Sequence, residues 1–182
     1  MMIEKIVIIG GGQASLSCAS QLRSLGFKGD ICMICEESYY PYQRPPLSKK
    51  FLTGQFLEER LLLKKVDYYK INNIQVLLSK KATKIDRDNK KVHLQSGEKI
   101  DYTKLVIAIG SKAKKAPLSD CDNYSNAYYL RNLHDAKNLK NQLHTGKKIL
   151  IIGGGYLGLE VASVCSSLGM NTTVVELSLI HI

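Results

Sequence analysis

Consecutive apolar residues, broken by stretches in which apolar positions recur every three or four residues, give the chain its first pattern. Ile6-Val7-Ile8-Ile9 and Ile31-Cys32-Met33-Ile34-Cys35 are apolar without alternation, as expected of strands at 3–9 and 31–35 covered on both faces. Between them, residues 13–25 carry Ala14, Leu16, Ala19 and Leu22 on one helical face, with Gly26 and Gly29-Asp30 as stop and turn signals. The same strand, helix, strand order returns at 148–152, 156–168 and 172–176. Further strands are predicted at 74–78, 82–85, 91–94 and 105–109, with turns at Asp88-Asn89 and Ser96-Gly97. Alternation in Val92-His93-Leu94 predicts an antiparallel hairpin beside a parallel sheet. Helices are predicted at 48–53, 65–71 and 134–144, and Pro41, Pro45 and Pro46 make residues 38–48 a rigid loop. These elements predict an α/β chain.

Both strand-to-helix junctions are glycine-rich. Gly10-Gly11-Gly12-Gln13-Ala14-Ser15 follows the first strand, and Gly153-Gly154-Gly155-Tyr156-Leu157-Gly158 follows its repeat 143 residues on. In a dinucleotide-binding turn the first glycine makes the bend, the second lets backbone approach a pyrophosphate, and the third lets helix and strand pack closely. Gly10, Gly12 and Ser15 fill these roles first, with serine where glycine or alanine is usual, which predicts slightly looser packing. Gly153, Gly155 and Gly158 fill them again. An acid after the next strand accepts ribose hydroxyls; Glu36 lies 26 residues after Gly10 and Glu176 lies 23 after Gly153. A carboxylate at Glu176 would repel a 2'-phosphate, which favours NADH over NADPH. Two such turns predict two dinucleotides and a redox enzyme.

The architecture that follows is an α/β Rossmann-like dinucleotide-binding fold with a small antiparallel β insertion, then a truncated second Rossmann unit. The polar stretch from Ser111 to Pro117 marks the boundary, giving a first domain over 1–112 and an incomplete second over 113–182. A parallel sheet of two strands cannot cover both its faces, so truncation is expected. The apolar tail Leu177-Ser178-Leu179-Ile180-His181-Ile182 resembles read-through of a sequencing adapter.

Composition narrows the chemistry. The 182 residues are 45% apolar, enough for a packed core. No run of 18 apolar residues and no signal-peptide pattern is present, so a cytoplasmic protein without a membrane partner is expected. The five cysteines, Cys18, Cys32, Cys35, Cys121 and Cys165, do not form a secreted framework. Cys32 and Cys35 point to opposite faces of one strand, so no disulfide is expected between them, and with no second cysteine pair or histidine cluster beside them no metal site is expected either. His93, His134, His144 and His181 are scattered. The formal charge of +10 comes from 21 lysines and 5 arginines spread along the chain. That spread reads either as a solvated surface or as a docking surface for an acidic protein. Nucleic-acid readout favours arginine forks and interleaved aromatics, which are not evident.

Gly10 to Ser15 followed by Tyr40-Pro41-Tyr42-Gln43-Arg44-Pro45-Pro46-Leu47-Ser48-Lys49 resembles the FAD-dependent pyridine nucleotide reductases that serve ferredoxins and rubredoxins, the putidaredoxin reductase type. The resemblance runs from about residue 3 to 176 and implies FAD in the first turn and NADH in the second. It implies that Ala14, Glu36, Lys49, Ala82 and Arg131 contact FAD, with Lys49 near the reactive edge of the flavin. It also implies that Glu160 lies by nicotinamide and flavin and pairs with Lys49. Gln13, Arg44, Pro45, Ala108, Gly110, Tyr156 and Leu157 complete the cofactor-binding set. Ile109 stands where the family has a threonine, which removes any contact made by that hydroxyl. No cysteine lies between Cys35 and Cys121, so the dithiol relay of the glutathione-reductase branch is not expected. The implied reaction is hydride transfer from NADH to FAD, then single-electron release to an acidic ferredoxin or rubredoxin. Two other readings stay open: a flavoprotein with a mainly binding role, like the relatives of apoptosis-inducing factor, and a fragment inactive alone.

Overall fold

The computed structural model describes residues 4–115 and 124–176. Cys121, the Ala116-Pro117 end of the polar stretch and the tail from Leu177 lie outside the described residues. The chain divides into two units. Residues up to Tyr42 together with Leu62–Ser111 form the first, and Gln43–Leu61 joins the residues from Lys112 onward in the second.

In the first unit, β1 (Lys5–Ile9), β2 (Asp30–Ile34), β3 (Ile74–Leu77) and β7 (Lys104–Ile107) make a parallel sheet in the order β3-β2-β1-β7. The unbroken apolar runs in β1 and β2 now have their cause. On one face Ile6, Ile8, Ile31 and Met33 pack with Leu16 and Ala19 of α1 (Gln13–Ser24) and with Tyr69 of α2 (Val66–Ile71). On the other, Val7, Ile9, Cys32 and Ile34 pack with Val92 and Leu94. Those last two belong to the antiparallel sheet β4 (Ala82–Asp86), β5 (Lys91–Leu94), β6 (Lys99–Asp101), which caps the second face. The expected hairpin is therefore β4–β5, while β6 is a strand that periodicity does not reveal, since Ile100 is its one apolar residue.

In the second unit, Pro45–Ser48 forms a 3-10 turn with proline in its first positions, and a second 3-10 turn spans Glu58–Leu61. The helix expected at 48–53 does not form; the two prolines fix the backbone one turn earlier and the chain continues as irregular turns. Helix α3 (Leu133–Lys140) ends earlier than expected because Gln142 and Leu143 bond back three residues, to Leu139 and Lys140. Strands β8 (Lys148–Ile152) and β9 (Asn171–Val175) pair in parallel around α4 (Tyr156–Ser167). Ile149 and Ile151 pack with Val161, Val164 and Cys165 of α4 and with Leu52 and Leu139. The alternate positions are bare: Leu150 is 60%, Ile152 55% and Val175 50% exposed.

Cys32 and Cys35 serve opposite faces of the first sheet and both are free thiols. Burial raises the Cys32 thiol from 9.0 to about 11 and the Cys35 thiol to about 12. Both are thus neutral in the folded chain when the unfolded chain ionises them. Their contribution to stability is complete below pH 9.0 and is lost as pH rises toward 11 and 12. A thiol reagent at pH 8 is expected to leave both untouched until urea unfolds the chain, and the urea midpoint is expected to fall above pH 9. Native-state labelling at the rate of a free cysteine would contradict this.

Candidate dinucleotide-binding sites

Each glycine turn is built by one strand end, one helix start and the end of the neighbouring strand. Gly10 takes φ 136°, its N–H donates to Ile34 at 2.9 Å, and a Cβ there would collide with the carbonyl of Ala108. Gly153 takes φ 110° and its N–H donates to Val175 at 2.8 Å. Gly158 lies so close to the strand end that a Cβ would collide with the Gly153 carbonyl, which is the close packing its place in the motif predicts. Ser15, at the matching place in the first turn, is fully buried with its hydroxyl facing Gly10 and unpartnered.

Gly12 and Gly155 are the N-caps of α1 and α4, and a Cβ at either would meet open space. Neither helix has a side-chain cap or an acid in its first turn. Helix α3 differs: Asn132 accepts from the Asp135 N–H at 2.9 Å and Asp135 returns to the Asn132 N–H at 3.1 Å. The protein thus closes the N-terminus of α3 with its own side chains and leaves α1 and α4 open to an outside acceptor. Uncapped N–H groups, the positive end of a helix dipole and glycines in open space suit an anionic pyrophosphate. The turns fit the nucleotides that the motifs predict.

The two acids sit differently. Since Gly10 bonds Ile34 and Gly153 bonds Val175, the residues that follow, Cys35 and Glu176, hold equivalent places. Cys35 packs against Gly11, whereas Glu176 accepts the Gly154 N–H. Glu36 stands one residue further on, exposed, and pairs with Lys81 at 2.8 Å. That ion pair sets Glu36 beside the start of β4, where Ala82 lies. Ala108 donates its N–H to Ile9 at 2.8 Å, and Gly110 has φ 67°. Ile109 projects into solvent, 68% exposed. Gln13 and Ala14 are exposed in the first turn of α1, and Tyr156 and Leu157 in that of α4.

The remaining predicted residues gather in the second unit. Arg44 donates to the Arg131 carbonyl at 3.0 Å, and the Arg131 N–H donates to Asp135 at 3.0 Å. Pro45 opens the 3-10 turn, which packs against α3 and α4. Lys49 Nζ lies 2.8 Å from Glu160 Oε1. Ser48, to which the motif assigns no role, donates to Glu160 Oε2 at 2.5 Å. Lys49 and Ser48 together hold the Glu160 carboxyl below the usual carboxylate range. A cavity of about 530 Å³ opens there, lined by Lys49, Lys50, Tyr156 and Glu160 among others. Among the described residues no cluster of His, Cys, Asp or Glu could hold a metal, and no helix is long and apolar enough to cross a membrane.

A family model for pyridine nucleotide-disulphide oxidoreductases matches residues 4–179. The chain belongs to this family. It is 41% identical over 171 residues to a rubredoxin-NAD(+) reductase of Pseudomonas putida, covering 94% of this chain and 44% of that protein. Its fold matches a ferredoxin reductase for the CYP199A2 system from Rhodopseudomonas palustris with a TM-score of 0.91 at 31% identity, over 97% of this chain and 43% of that one. A covalent putidaredoxin reductase–putidaredoxin complex matches with a TM-score of 0.89 at 37% identity, over 94% and 42%. The chain thus spans under half the length of these relatives, and its α/β architecture is the Rossmann-like fold expected of the family.

Proposed function

We propose that this chain carries the FAD and NADH cradles of a flavoprotein reductase that passes electrons from NADH to an acidic rubredoxin- or ferredoxin-type iron–sulfur protein. The observation that carries the reading is the pair of uncapped, acid-free helix N-termini behind Gly12 and Gly155, in a chain whose third helix is fully capped. Residues 1–112 serve FAD and 113–182 serve NADH in this reading. The open amides of α1 take one pyrophosphate, with Glu36 accepting the ribose hydroxyls. Those of α4 take the other, with Glu176 accepting its ribose. FAD, when bound, supplies a carrier that accepts a hydride from NADH and releases electrons singly. Lys49 is held by Glu160 at the edge of a cavity that also presents Tyr156. A chain with a formal charge of +10 favours encounter with an acidic partner, and two of the relatives named above act with rubredoxin or putidaredoxin.

Titrating the 182-residue chain with FAD and, separately, with NADH tests the reading. Two independent saturable sites are expected, and Gly155→Ala, which adds a methyl into open space, is expected to weaken NADH about tenfold or more while leaving FAD unaffected. Competition of the two nucleotides for one site, or no binding of either, would overturn it.

A further inference from the structure

The Glu160 carboxylate has two oxygens, and adjacent residues of one turn take one each. Lys49 takes Oε1 and Ser48 takes Oε2. The two partners differ in kind. The Lys49 side chain is 51% exposed and that of Glu160 31%, and an ion pair so open to water breaks and reforms readily. Ser48 is 3% exposed and has a single side-chain rotor. Its backbone belongs to the 3-10 turn that Pro45 and Pro46 stiffen and that packs against α4. Its alternative acceptor, the Pro45 carbonyl, is 3.5 Å away, so the short contact to Glu160 is where its proton goes.

We infer that Ser48 is the positioning residue of the pair: its buried hydroxyl fixes the Glu160 carboxylate in one orientation and in its charged form, and the fixed carboxylate in turn aims Lys49 Nζ at the cavity. The lowered carboxyl of Glu160 has both hydrogen bonds as its leading causes, that of Lys49 first and that of Ser48 second. The charged groups facing Glu160 are Lys49 and, along the same cavity, Lys50. What this arrangement does for electron transfer rests on the function proposed above; the arrangement itself can be tested without any nucleotide.

The test is a carboxyl-carbon NMR titration of the 182-residue chain, with Glu160 assigned by the signal lost in Glu160→Gln. In Ser48→Ala the Glu160 midpoint is expected to move up toward the ordinary glutamate range. In Ser48→Thr, which keeps the hydroxyl, it is expected to stay near the parent value. A midpoint unmoved in Ser48→Ala overturns the proposal, and a drop in melting temperature without that movement assigns Ser48 a packing role only. Should Ser48→Ala not fold, Ser48→Cys, a weak donor of similar size, is expected to give a smaller upward movement, and none would again overturn the proposal. Loss of FAD and NADH binding in the parent chain would sink the proposed function and leave this titration standing. An unmoved midpoint would sink the role of Ser48 with nucleotide binding intact.

Discussion

Gly10→Ala is expected to destabilise the first unit by about 2–6 kcal/mol, whereas Gly12→Ala two residues on is expected to leave the fold nearly intact and weaken FAD about tenfold or more. The contrast comes from what surrounds each Cα. At Gly10 the backbone sits at φ 136°, where an L side chain is strained, and a Cβ would overlap the Ala108 carbonyl oxygen and stand 2.7 Å from its carbon. That carbonyl cannot retreat easily, because the Ala108 N–H is tied to Ile9 at 2.8 Å. The Ser15 hydroxyl, 2.8 Å from the added carbon, blocks the other direction. Strain of ~1–3 kcal/mol for the dihedral adds to a similar amount for overpacking, a large share of the ~5–15 kcal/mol that holds a domain together. Gly12 has open space where a Cβ would go, so the cost of alanine there is confined to a poorer helix cap, ~1 kcal/mol or less, and to the approach of a pyrophosphate. Urea unfolding followed by circular dichroism reads the first effect and flavin titration the second. Equal stability of the two variants would show that the Ala108 contact does not constrain the turn.

That separation of packing from binding was half legible in the motif. The unbroken runs in β1 and β2 place a doubly covered parallel sheet because no one-sided sheet tolerates apolar residues at every position, and the structure shows α1 on one face and β5 on the other. The turn glycines follow from the same pattern. The exposed alternate positions Leu150, Ile152 and Val175 match the expectation that a two-stranded parallel sheet leaves a face bare. Strand β6 was not legible, since Lys99-Ile100-Asp101 presents one apolar side chain and owes its pairing to β5. Nor was the offset between the two acids. Counting residues places Glu36 and Glu176 at comparable strand ends, but only the hydrogen bonds from Gly10 and Gly153 show Cys35 in the place that Glu176 holds. Ser48 was hidden for a third reason: its partner lies 112 residues away, and no local pattern encodes a contact at that separation.

The position of Glu176 makes it the residue on which the choice of nicotinamide coenzyme is expected to turn. Its carboxylate accepts the Gly154 N–H at the heart of the second turn, with Oε2 and Cβ each 3.2 Å from where a Gly154 Cβ would stand. In the function proposed above, a ribose bound over this turn meets that carboxylate. Hydrogen bonds from two hydroxyls to a charged acceptor favour NADH, and a 2'-phosphate in the same place sets negative charges about 4 Å apart, a repulsion of ~4 kcal/mol at an effective permittivity near 20. Glu176→Gln keeps an amide oxygen for the Gly154 N–H, so the turn retains its shape while the charge is lost. NADH affinity is expected to fall about tenfold, and the preference for NADH over NADPH to fall by up to about four orders of magnitude, because the variant loses an attraction worth about tenfold for one and a repulsion of ~4 kcal/mol, about a thousandfold, for the other. Glu176→Ala is expected to narrow the preference similarly but also to lower the melting temperature, since it leaves the Gly154 N–H without its acceptor. Dissociation constants for both coenzymes, measured by quenching of nicotinamide fluorescence at fixed ionic strength, read the ratio. A ratio unchanged in Glu176→Gln would mean that the carboxylate serves the turn alone and that selectivity is set by residues beyond it.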